Sequence, residues 1–135
     1  MTTFPLKIVT AAGLIYDGEA ERIVVRATDG DICILANHIN CVAALGMGRA
    51  TLVDGSGNRR YAACIGGMLT VANGNVTLVP TTFEWADKID KDRSAASESR
   101  ARAVLAAKNA SDTEIKLAEA RLKRALIRQS VADKK

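Results

Sequence analysis

"VTLVPTTFEWADKIDKDRSAASESRAR", residues 76–102, begins as one kind of chain and ends as another. Val76 to Val79 belongs to a β-branched run of strand length. From Phe83 to Lys135 there is neither proline nor glycine, and eight alanines fall between residues 86 and 110. Alanine is the best helix former, and charged residues fall between the alanines. The stretch divides the chain into a strand-rich part, residues 1–84, and a helical part, residues 85–135.

Upstream, short β-branched runs follow one another: "LKIV", "LIYD", "RIVVRA", "DICIL", "ATLVD", "RYAACI", "MLTVA" and "VTLV". "DGSGN" at 54–58 and "NGN" at 73–75 read as hairpin turns, since Gly and Asn accept positive φ. No helical period intervenes to carry a parallel crossover. The pattern predicts an antiparallel sandwich or barrel.

Downstream, a first helix is predicted over about 87 to 108. "NASDTE" ends it, and Ser111 followed by Glu114 is a capping box that opens a second helix. Ile115, Ala118, Leu122, Ala125 and Leu126 form the apolar stripe of that helix. A break this short makes the helices antiparallel neighbours. The implied register sets Arg93 beside Arg128, Ser97 beside Arg124, and Arg100 beside Arg121.

That register gathers arginines. Arg93 and Arg100 are seven residues apart on one face of the first helix, with Ser97 between them, and Arg121 and Arg128 repeat the spacing on the second. Like charges so close disfavour a folded hairpin, and an anion reverses the sign. The acids Asp87, Asp90 and Asp92 compete for the same helix start. The rival reading is a solvated charged face with i,i+4 pairs such as Glu98 with Arg102.

Composition narrows the classes. The net charge is +4; residues 1–83 carry six basic and six acidic side chains, so the whole excess lies in the helical part. A nucleic-acid-binding module using the basic hairpin is the alternative function, weakened by the scarcity of aromatics for base stacking. Cys33, Cys41 and Cys64 lack C-x-x-C spacing and read as buried free thiols. One histidine makes a zinc site of ordinary ligands improbable. No run approaches a membrane span, and "MTTFPLKIVT" has no leader pattern. Neither a phosphate loop nor an acid–base constellation is present, so no catalytic residue and no catalytic cofactor are assigned.

"DGDICILANHINCVAAL" at 29–45, "CIGGMLTVANGNVTLVP" at 64–80 and "IDKDRS" at 89–94 resemble, in order and spacing, the epsilon subunit of bacterial F-type ATP synthases. The chain keeps Gly30, Asp31, Ile34, Leu35 and His38, then Gly66, Gly67, Leu69, Val71, Val76 and Leu78 of the family pattern. Cys33 stands where glycine is usual, and Ala36 and Asn40 where proline is usual.

The resemblance implies an α+β fold: an N-terminal antiparallel β-sandwich of about ten strands followed by a C-terminal two-helix hairpin. It implies a non-catalytic rotor subunit of the central stalk, peripheral on the cytoplasmic face of the plasma membrane. Its partners would be the gamma subunit, the membrane rotor ring and, through extended inhibitory helices, the catalytic beta and alpha subunits. Asp31 is the matched candidate for the ring contact and His38 for gamma. Some members bind ATP as a regulatory ligand at [IL]-D-x-x-R-A, matched here by Ile89, Asp90 and Arg93 with Ser94 in place of alanine. Glu84 and Arg100 match further positions used in those members. Arg121, Arg124 and Arg128 join them through the register.

Overall fold

The computed structural model describes residues 2–133. Seven strands come first: β1 (Phe4–Thr10), β2 (Gly13–Ala27), β3 (Gly30–Ile34), β4 (Cys41–Ala44), β5 (Met47–Asp54), β6 (Arg59–Ala72) and β7 (Asn75–Trp85). A single 3-10 turn at Ala86–Lys88 leads into α1 (Lys91–Ala106) and α2 (Asp112–Ala132).

The strands run β1-β7-β6-β5-β2-β3, with β4 on β6 and a further β1–β2 pairing that closes the path on itself. Two long strands each serve both halves of the sandwich. β2 pairs with β1 as far as Ala20 and with β3 from Ile23 onward. β6 pairs with β5 up to Ile65 and with β4 from Met68. The turn between those roles is Gly66–Gly67, at φ +68 and +102, and a Cβ on Gly67 would lie 2.1 Å from the Val79 carbonyl oxygen. Only glycine fits such a corner.

This corrects the strand count from about ten to seven. "LIYD" and "RIVVRA" are one strand, as are "RYAACI" and "MLTVA". The pairing is also not wholly antiparallel, because β1 lies parallel to β7, with Leu6 opposite Val76. No crossover helix is needed, since the rest of the sandwich connects the two strands.

Alternate residues of the strands fill the core: Leu6 and Ile8, Ile23 and Val25, Leu52, Leu69, and Val76 and Leu78 are all buried. Cys64 lies among them, and burial pushes its thiol up to about 12. Cys41 is half-buried and Cys33 exposed, so the expectation of buried thiols fails for Cys33. Cys33 belongs to the solvent-facing alternation of β3.

The hairpin starts later than predicted. Ile89 and Asp90 are extended, and the Asp90 Oδ1 accepts from the Arg93 N–H at 3.0 Å, which caps α1. Ser111 caps α2 as expected, accepting from the Glu114 N–H at 3.2 Å while its hydroxyl donates to Glu114 Oε1. Ala118 and Ala125 of the predicted stripe are buried, but Leu126 is 42% exposed. The buried face instead continues to Val131 and Ala132, which meet Ala63, Ala86 and Ile89 in a small second cluster beside Tyr61 and Ile127. Side chains this small leave Ile89 and Val131 as the main apolar anchors, each worth about 1.5–3 kcal/mol on burial.

Candidate anion site in the hairpin

Two adjoining cavities open where α1, α2 and the end of β7 meet. The smaller, about 280 Å³, is lined by Glu84, Lys88, Asp90, Arg93, Arg100 and Arg128. The larger, about 590 Å³, lies between the helices and is lined by Arg100, Arg121, Arg124, Arg128 and Glu114, with Val104 and Leu117. Ser97, Arg100 and Arg128 line both. Each arginine pair expected from the register therefore shares a cavity, as do Ser97 and Arg124. The helices themselves are displaced by one to two turns from that register. Gln129 Nε2 donates to Glu98 Oε1 at 2.9 Å, and Lys91 pairs with Asp133.

The charges are unevenly satisfied. Arg128 Nε lies 2.8 Å from Glu84 Oε1. Asp90 is occupied as the α1 cap. Among the described residues, Arg93, Arg100, Arg121 and Arg124 have no carboxylate partner. Four unpaired guanidinium groups around two cavities repel one another, and a polyanion would relieve this by forked, charge-assisted hydrogen bonds. The predicted Glu98–Arg102 pair is present at 2.7 Å. The Gln129 amide and then the Arg102 guanidinium hold the Glu98 carboxyl below its usual range. Arg102 thus belongs to the ordinary charged face, while Arg93, Arg100 and Arg121 are exposed and Arg124 is partly buried.

Ile89 lines neither cavity. It is 7% exposed and packed between Ala63, Val131 and Ala132, so in the closed hairpin it docks the helices on the sandwich. Strand-like backbone at Ile89 and Asp90 turns the two side chains opposite ways, the isoleucine inward and the carboxylate to the cavity edge.

Asp31 and His38 lie elsewhere. Asp31 sits on β3, opposite Arg26 of β2, and pairs with it at 3.3 Å. His38 follows Asn37, whose φ is +67, and its Nδ1–H donates to the Ile39 carbonyl at 2.8 Å. Asn40, in place of the usual proline, ties this loop to the β6–β7 turn by accepting from the Asn73 N–H at 2.9 Å. Around His38, Leu35, Ile39 and Val42 are 54%, 77% and 64% exposed. Sequence reasoning missed that apolar rim, although "ANHIN" carries a visible signal in an isoleucine between two polar loop residues.

Residues 3–86 match the family model for the ATP synthase, Delta/Epsilon chain, beta-sandwich domain. An ATP synthase epsilon chain from Bacillus velezensis is 41% identical over 132 residues, 98% of each chain. The chain belongs to the ATP synthase epsilon chain family. Epsilon chains from Exiguobacterium sp. and Bacillus pumilus are 35% and 39% identical, with at least 99% of each chain covered. The fold matches a chain of the Euglena gracilis mitochondrial ATP synthase (OSCP, F1 and c-ring, rotational state 1) at TM-score 0.84 and 19% identity. That alignment covers 96% of this chain and 81% of that one. A chain of the Tetrahymena thermophila mitochondrial ATP synthase central stalk and c-ring matches at TM-score 0.61 and 12% identity, with 95% of each covered.

Proposed function

We propose that this epsilon-family chain is a non-catalytic central-stalk subunit of a bacterial ATP synthase, with ATP as a regulatory ligand of its closed hairpin. The sandwich binds the gamma subunit and the rotor ring. The helices, when released, extend along gamma towards the beta and alpha subunits and oppose hydrolysis. One observation carries the regulatory half: Arg93, Arg100, Arg121 and Arg124, without carboxylate partners among the described residues, line cavities to which both helices of the closed hairpin contribute. A triphosphate bound there stabilises the closed form by about 2.7 kcal/mol at about a hundredfold excess over its dissociation constant. That is enough to shift a hairpin whose docking rests on a few small side chains. Abundant ATP then keeps the helices closed and permissive, and scarcity frees them.

Truncation tests the division of labour. Residues 1–84 alone should bind gamma and support coupled synthesis, and loss of residues 86–135 should raise ATP hydrolysis in the assembled enzyme. Loss of gamma binding on truncation would overturn the assignment of the grip to the sandwich.

A further inference from the structure

A second pair of unpaired arginines lies on the sandwich, far in sequence from the hairpin. Arg22 of β2 is opposite Val53 of β5, and Val53 is opposite Arg59 of β6. The two arginines therefore flank Val53 in one cross-strand row, on the face turned away from the core, where neighbouring strands are about 4.8 Å apart. Val53 is only 8% exposed although it lies on that outer face. Both arginines line a cavity of about 680 Å³, together with Glu21, Asn37 and Leu35. The Arg22 Nε is sealed from solvent and has no hydrogen-bond partner. Among the described residues neither arginine is paired with a carboxylate, and Glu21 forms no ion pair with a basic side chain. A buried donor with no acceptor costs free energy unless something fills the site.

We propose that this cavity is a socket for one carboxylate side chain of a partner protein, the stalk subunit that the sandwich grips. The inference rests on the central-stalk reading. Two guanidinium groups and the Glu21 carboxylate leave one net positive charge, which matches a carboxylate and not a phosphate dianion. Glu21 is the extra residue of a β-bulge between Ala20 and Arg22, a device that re-aims a side chain into the cavity. The rim decides for a protein over a small anion. Leu35 lines the cavity, and Ile39 further along the same loop is 77% exposed. A free ion would leave these apolar groups wet. A partner segment with an acidic residue beside an apolar one satisfies both. The socket adjoins the His38 loop, so both belong to one docking face.

The test uses the full chain and its purified gamma subunit, with binding measured by calorimetry at low and high salt. Arg22→Gln with Arg59→Gln should weaken binding tenfold or more and flatten its salt dependence, with the melting temperature unchanged. Glu21→Gln should tighten binding, a sign that misfolding cannot imitate. Leu35→Ala should weaken binding with the salt slope kept. Wild-type affinity in the double variant would overturn the socket alone, while a wild-type chain that does not bind gamma would overturn the central-stalk reading with it. Inorganic phosphate that raises the melting temperature of the wild type but not of the double variant, with gamma affinity equal in both, would assign the site to a small oxyanion and overturn the proposal.

Discussion

Arg128 Nε on α2 lies 2.8 Å from Glu84 Oε1 on β7, forty-four residues away, and joins the helical hairpin to the sandwich through a half-exposed ion pair. The same arginine lines both hairpin cavities. Docking and the proposed ATP site therefore share one guanidinium. Glu84→Gln should loosen docking by at most about 1 kcal/mol, since solvent screens such a pair. Amide exchange in α2 should rise accordingly. A change of several kcal/mol would mean that Glu84 does more than hold Arg128.

Ile89→Ala should release the hairpin more strongly. The side chain is the largest buried one in the second cluster, and its truncation should cost about 2–3 kcal/mol. The expected result is rapid exchange throughout α1 and α2 with the sandwich melt unchanged. A fall in sandwich stability of the same size would show that Ile89 supports the main core.

Gly67→Ala probes the corner of β6. A residue forced to φ +102 with its Cβ 2.1 Å from a backbone oxygen should cost about 3 kcal/mol or more, from strain and overlap together. Thermal unfolding measures it. A neutral outcome would remove the reason given for two glycines at that position.

The Glu98 carboxyl titrates below its unfolded value, so its contribution is present above the ordinary glutamate pKa of about 4.3 and is lost as the pH falls through the lower folded value. Acidification through that window should loosen the α1–α2 pairing. Glu98→Gln should remove the pH dependence. Unaltered pH dependence in that variant would place the titrating group elsewhere.

Much of this was legible in the residues. The break near Pro80, the strand-length runs, the Ser111 cap and the seven-residue arginine spacing all rest on local chemistry, which a sequence displays directly. What failed was non-local. "RYAACI" and "MLTVA" read as two strands, although Gly66–Gly67 bends a single strand that changes partners. The parallel β1–β7 pairing leaves no local mark. Ile89 stands in the matched motif beside Asp90 and Arg93, yet the extended backbone turns it into the docking interface. Leu126 fits the helical stripe, but the docked face rotates toward Val131 and Ala132, where the sandwich lies.

Calorimetric titration of the isolated full chain with ATP, followed by amide exchange, tests the closed-hairpin site most directly. The expected result is saturable binding that protects α1 and α2 together. Arg93→Ala should weaken it ten- to a hundredfold, the loss of a charge-assisted contact worth about 1.5–3 kcal/mol, and Arg93→Lys should restore only part. No binding at millimolar ATP, or protection of one helix without the other, would contradict it.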